Sequence, residues 1–187
     1  MKLTIVFADA EIEKSPEGGA VSLLDAYFHP DVKGRRGRPD IAHNALTILH
    51  SSPAWNHIDV AVCTRHDEVI IPEKNEFVQN YFDFISQVSS LLSGERAEGY
   101  KLIKINFLDF IKSLNADKVV ALSPEGGKTP LKNEILQDGH TVLIIGAFSD
   151  GDYFSPVYDI CDSAISISDQ ILTVPEVVMF VLRELDF

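Results

Sequence analysis

From Tyr100 onward the chain repeats one unit. The β-leaning runs KLIKINF (101–107), DKVVALS (117–123), HTVLIIGAF (140–148) and SAISIS (163–168) alternate with the helix-forming stretches LDFIKSLNA and LKNEILQ and a final segment from Thr173. Strands that are apolar along their whole length must be covered on both faces, and connecting helices supply that cover. The alternation therefore predicts an α/β fold with a mostly parallel sheet. Upstream, Lys2 to Ala8 reads as a first strand, and IDVAVCTRHDEVIIP reads as a hairpin turning at Arg65-His66-Asp67. Helices are expected over PEGGAVSLLDAYFH (16–29), over PDIAHNALTILH up to Pro53, and over FVQNYFDFISQVSSLL up to Gly94, with Phe77 opening its apolar stripe.

The last helix can be read residue by residue. Thr173 with Glu176 forms a capping box, and Pro175 is tolerated because a first-turn N–H has no intrahelical partner. Val174, Val177, Val178, Val181, Leu182 and Leu185 make one stripe, which Met179 and Phe180 widen. Such a helix is expected to be buried on more than one side, in its own core or against a second subunit.

A length of 187 residues suits one domain, and 45% hydrophobic content suffices for a core. The net charge of −12 argues against diffuse nucleic-acid binding, where phosphate contacts dominate. Cys63 and Cys161 stand alone, so neither a disulfide framework nor a metal site is expected. The opening MKLTIVFADAEIEK reads as a strand followed by acids, and no apolar run reaches the roughly 20 residues of a membrane helix. The expectation is a soluble, cytoplasmic protein without membrane contact.

Against this acidic background, KGRRGRPDIAHN (33–44) gathers Arg35, Arg36 and Arg38, half of the six arginines. Flanking glycines allow close backbone approach, and the guanidinium fork suits phosphate. A solvated loop paired with nearby acids is the competing reading. Asp40 follows Pro39, so it is expected to cap the next helix, to hold Arg38, or both. Arg65 and His66 at the hairpin tip form a second candidate patch, or simply face solvent. In IIGAFSDGDYF, Gly146 and Gly151 stand at a strand end, where open α/β sheets bind ligands, without the G-x-G-x-x-G spacing of a dinucleotide site. Asp150 and Asp152 favour a ligand with a positive centre over phosphate. From Gly139 to Phe187 the single Arg183 faces eight acids, so this third of the chain is not expected to contact phosphates.

Four stretches in order, RRGRPDIAHNAL (35–46), TRHDEVI (64–70), IGAFSDGDYF (145–154) and AISISDQILTVPEVV (164–178), resemble the nucleolar essential protein family. These are ribosomal small-subunit pseudouridine N1-methyltransferases of the SPOUT class. The resemblance implies a single trefoil-knotted domain over 1–187, with 30–100 as an RNA-facing elaboration and 117–187 as knot and cofactor region. It implies a homodimer through the C-terminal helices, a ribosomal RNA hairpin as partner, and S-adenosyl-L-methionine as cofactor. Carried onto this chain, the cofactor loops are Leu122 and Ser123; Gly146, Ala147, Phe148 and Gly151; and Ser166, Ile167, Ser168, Asp169, Gln170, Ile171 and Leu172. Arg35, Arg36, Arg38 and Arg65 become phosphate contacts, with Asp40 and Arg38 as the catalytic candidates. The arginine corner is expected near the glycine turn of the twin subunit. Two departures stand out: Glu73, Glu76 and Asp83 occupy a segment where the family carries arginines, and Asp150 replaces the His of the family's GGFPHGDF. A non-catalytic knotted assembly factor and a SPOUT methyltransferase with another RNA substrate are the alternative readings.

Overall fold

The structure is a computed structural model in which residues 1–15, 19–21 and 37–185 are described. Seven strands, β1 (Lys2–Ala10), β2 (Ile58–Thr64), β3 (Glu68–Pro72), β4 (Tyr100–Lys104), β5 (Lys118–Gly127), β6 (His140–Gly146) and β7 (Ser163–Ile165), form one sheet in the order β4-β3-β2-β1-β6-β5-β7. Five of them, β2, β1, β6, β5 and β7, run parallel, with Leu3 opposite Ile58 on one side and Thr141 on the other. The predicted hairpin is present as antiparallel β2–β3, and β4 pairs antiparallel beyond it. The C-terminal ends of five strands thus share one edge, where such sheets place their ligands.

Side-chain alternation along β1 divides the core in two. Leu3, Ile5 and Phe7 face a layer made by helices α1 (Pro39–His50), α2 (Tyr81–Leu92), α4 (Leu131–Ile135) and α5 (Val174–Glu184). Val6 and Ala8 face α3 (Phe107–Ser113) and the short helical turn at Val157. The continuous apolar runs are explained by this cover on both sides.

Several local expectations shift. Asp40 does not cap α1: Arg38 holds the cap position, and Pro39, which needs no N–H partner, begins the helix. Asp40 lies in the first turn, where its charge still suits the helix dipole, and Arg38 Nε and Nη2 donate to its two oxygens at 2.9 Å each. Phe77 precedes α2 instead of opening it, because Asn80 caps the helix by accepting from the Phe82 and Asp83 amides. The strand expected over 117–123 continues as far as Gly127, which rejoins β7 opposite Ile165. In α5 the capping box forms, the Glu176 carboxylate accepting from the Thr173 amide at 2.7 Å. Only Val178, Val181 and Leu185 of its stripe are buried, and Met179 is 61% exposed. Burial within this chain is therefore one-sided. Most of the helix expected over 16–29 lies outside the described residues; its described part is a turn in which Lys14 bridges Ala20.

Gly126 is where β5 passes β7: a Cβ there would stand 2.5 Å from the Ile165 backbone. Backbone cannot yield as a flexible side chain can. Gly126→Val should lower stability by about 3 kcal/mol, the upper end for overpacking, and an unchanged denaturation midpoint would show that the crossing is looser. His43 is buried against Tyr81 and Phe84 with Nε2 unpartnered, and burial pushes its imidazole below the usual range. The unfolded chain then binds more protons below about pH 6.5, so stability present above that pH is lost as pH falls toward the folded value. His43→Phe should flatten the urea midpoint between about pH 7 and pH 5 relative to the parent; parallel curves would count against it.

Candidate active site

A cleft of about 490 Å³ opens at the C-terminal edge, between the ends of β5, β6 and β7 and the start of α5. Its floor is apolar, with Leu122, Ile145, Ile165 and Ile167, while Ile171, which also lines it, is 88% exposed. Its rim is acidic, with the exposed Glu125, Asp150 and Asp152, and the buried Ser123 adds a hydroxyl to the lining. Of the thirteen residues expected around a cofactor, eleven line this cleft. Ala147 does not: it is fully buried, its amide donating to the Ala8 carbonyl at 2.8 Å. Asp169 does not either; it pairs with Lys128 and faces a neighbouring hollow of about 480 Å³ that Phe180 and Arg183 also line.

Tyr153 braces the cleft from beneath. Its hydroxyl donates to the Leu122 carbonyl at 2.6 Å, and its ring meets Phe148 and Tyr158 edge-on. Burial pushes the Tyr153 hydroxyl well above its usual pKa, so it remains a donor. Ser123 shares a hydrogen bond with the Tyr158 hydroxyl at 2.9 Å, and Tyr158 donates to Asp152 at 2.7 Å. A Cβ on Gly146 would meet the Phe148 ring at 2.6 Å, so glycine is needed there if Phe148 is to keep its place in the wall.

Two buried carboxylates at the end of β1 hold the loop above. Asp9, in the left-handed conformation at φ 56°, accepts from the amides of Phe154 and Ser155 at 2.7 and 3.0 Å and from the Ser155 hydroxyl at 2.7 Å. Glu11 Oε1 accepts from Arg65 Nη2 at 3.0 Å and from the Ser149 amide and hydroxyl at 3.2 and 3.1 Å. The Glu11 carbonyl accepts from the Arg38 amide at 3.1 Å. One residue therefore joins the arginine corner to the cleft loop within a single chain. Asp40 holds Arg38 protonated through their paired hydrogen bonds. Arg35 and Arg36 lie outside the described residues. Arg65 is tucked between Glu11 and the ring of Phe154, its guanidinium carbon 4.6 Å from the ring centroid, while His66 leans out toward Glu13 at 3.6 Å.

The family model for EMG1/NEP1 methyltransferases matches residues 5–186. The chain belongs to that family. It is 31% identical over 175 residues to the ribosomal RNA small subunit methyltransferase Nep1 of Methanothrix thermoacetophila, covering 86% of this chain and 76% of that one. Against the Nep1 of Archaeoglobus fulgidus it is 31% identical over 156 residues, with 80% and 70% covered. The crystal structure of Archaeoglobus fulgidus Nep1 bound to S-adenosylhomocysteine superposes with a TM-score of 0.81 at 24% identity, covering 98% of this chain and 97% of that chain. This EMG1/NEP1 family member thus keeps the family fold. Among its described residues no three His, Cys, Asp or Glu gather as a metal-holding group, and no helix is long and apolar enough to cross a membrane.

Asp9, Glu11, Tyr153 and Tyr158 are the site residues that pattern reading passed over. The signal for the first two was present: acids directly after a first parallel strand fall at the ligand edge. Asp9→Ala leaves three donors without their buried acceptor, so we expect a loss of about 1.5–3 kcal/mol and faster amide exchange at Phe154 and Ser155. Asp9→Asn, which tolerates the left-handed conformation, should lose less. Unaltered exchange in the alanine variant would mean that the loop is held by something else.

Proposed function

We propose that this EMG1/NEP1 family member methylates N1 of a pseudouridine in small-subunit ribosomal RNA, with S-adenosyl-L-methionine as donor. The observation that carries the reading is the Glu11 junction, which sets Arg38 and Asp40 beside the loop that walls the cleft. The neighbour in the crystal structure described above carries S-adenosylhomocysteine, and the cleft here suits such a ligand. Its volume lies in the range of small-molecule sites, its floor suits a purine and its carboxylate rim suits a cation. Leu122, Ser123, Gly146, Phe148 and the segment Ser166–Ser168 are the residues that would hold the donor.

S-adenosyl-L-methionine supplies a methyl group on positively charged sulfur. The chain's own part is placement and charge. The target base must leave its stack to reach the cleft. As the N1–methyl bond forms the sulfur–methyl bond breaks, with S-adenosylhomocysteine as the leaving group; the N1–H bond also breaks, and Asp40 accepts that proton directly or through water. The paired hydrogen bonds from Arg38 fix the orientation of the carboxylate. Arg38, kept charged, offsets negative charge developing on the base. Holding base and donor in line contributes much of the acceleration.

In this reading the chain works as a homodimer with a knotted C-terminal region in the cytoplasm. The exposed Met179 on α5, beside the hollow lined by Phe180 and Arg183, is the surface a second copy would cover. Arg35 and Arg36 join Arg38 in gripping phosphate.

A hairpin bearing pseudouridine should be methylated and the same hairpin bearing uridine should not; equal methylation of both sinks the assignment. Gly146→Val drives Phe148 into the cleft and should weaken S-adenosylhomocysteine binding at least tenfold by calorimetry. Arg38→Lys keeps the charge but loses the fork, so RNA affinity should fall roughly tenfold while S-adenosylhomocysteine affinity stays unchanged. A Lys variant that binds RNA normally removes Arg38 from the interface.

A further inference from the structure

Tyr158 links two residues that line the cleft, Ser123 in β5 and Asp152 in the loop after β6. The direction of each proton follows from what these groups can do. A phenol has one proton, and here it goes to Asp152 Oδ1 at 2.7 Å. Partial burial raises the Tyr158 pKa, so that proton stays in place. The 2.9 Å bond between Tyr158 and Ser123 must then use the proton of the serine. Ser123, 5% exposed, therefore has no proton left for the cleft and offers it an acceptor only. The Glu125 amide takes up part of that capacity at 3.3 Å.

Asp152 is held in a one-sided way. The Tyr158 hydroxyl and the Tyr153 amide, the latter at 2.8 Å, both donate to Oδ1. Among the described residues nothing bonds to Oδ2. Two donors on one oxygen fix the carboxylate and leave its other oxygen for a ligand. Because one hydroxyl bonds to both residues, the Ser123 oxygen and Asp152 Oδ1 lie no more than two hydrogen bonds apart.

We infer that Ser123 and Asp152, set by Tyr158, form an acceptor-only subsite for the ammonium group at the amino-acid end of the methyl donor. Resting on the methyltransferase reading, it says which end of the donor meets which part of the cleft. The donor carries two positive centres, and they differ in what they can use. A sulfonium has no N–H or O–H and gains nothing from oriented acceptors. An ammonium has three donors and can reach both side chains. Tyr158 is a positioning residue that acts through both: it fixes the carboxylate and takes up the serine proton.

The test is calorimetry on the full chain with S-adenosylhomocysteine, with its analogue carrying hydrogen in place of the amino group, and with S-adenosyl-L-methionine. The parent should bind S-adenosylhomocysteine roughly tenfold more tightly than the analogue, the worth of one hydrogen bond to a charged group. Asp152→Asn keeps the shape and still accepts from Tyr158, but it turns an N–H toward the ammonium. There the preference should shrink to within about twofold. Tyr158→Phe frees the serine proton and releases the carboxylate, so the preference should fall to about threefold. A cleft that merely loosens weakens both ligands together and leaves their ratio unmoved. An unmoved ratio in Asp152→Asn overturns the subsite and leaves the donor reading standing. An Asn variant that keeps the ratio and loses only S-adenosyl-L-methionine also overturns it, because the carboxylate then serves the sulfonium. A parent that binds neither S-adenosylhomocysteine nor S-adenosyl-L-methionine overturns the donor reading, and the subsite with it.

Discussion

The corner depends on two carboxylates buried where β1 leaves the sheet. A buried charge without partners is costly, and removing one partner from such a group is strongly destabilising. Asp9 and Glu11 therefore act as demands on the rest of the chain. Asp9 takes up the backbone at Phe154 and Ser155, and Glu11 takes up Arg65 and Ser149. The segments that satisfy them come from the β2–β3 turn and from the loop after β6, far apart in sequence. Asp9 meets its partners 145 and 146 residues away. The left-handed backbone at Asp9 coincides with a shift in the pairing of β1 with β2 between Phe7 and Ala10. Such an irregularity re-aims side chains at a strand end, a common device beside functional sites.

Much of the architecture was legible because it follows from coverage. Strands such as HTVLIIG are apolar on both faces, and a sheet covered on both faces by connecting helices follows from that alone. The cleft was legible through a different rule, the placement of Gly146 and Gly151 at a strand end. What stayed hidden depends on partners distant in sequence. The position of Asp9 and Glu11 after a first parallel strand marked the ligand edge, but nothing local marks either as buried or names its partners. Ala147 sits among cleft residues in sequence, yet it is fully buried with its amide tied to the Ala8 carbonyl of β1. Asp40 looked like a cap because acids before helical runs usually are; Pro39 beside it moved the cap back by two residues, to Arg38. The one-sided burial of α5 was open to two readings, since periodicity reports that a face is apolar and not what covers it.

The acids of the last third also look different in place. Read as a run of charge, they pointed to repulsion of nucleic acid or attraction of a cation. Many are committed locally instead. Asp162 accepts from the Val119 amide at 2.7 Å, tying β7 to β5. Asp169 pairs with Lys128, Glu184 with Arg183, and Glu176 closes the start of α5. Asp152 accepts from Tyr158 and from the Tyr153 amide. Their charges remain, but their positions are set by the fold, so composition overstated what they say about ligands.

An acidic body and an RNA partner are compatible when phosphate contacts are few and confined to one corner. Each phosphate contact adds to affinity and to its salt dependence, and this chain has few arginines to offer. Repulsion from the exposed carboxylates acts over a Debye length of about 8–10 Å near physiological salt, so it opposes duplex RNA lying along the surface. A single extruded base inserted at one corner meets less of that repulsion, because it brings a flat neutral ring and not a rail of phosphates. The excess of acid elsewhere then works in favour of selectivity, since it discourages every other way for RNA to lie on the protein.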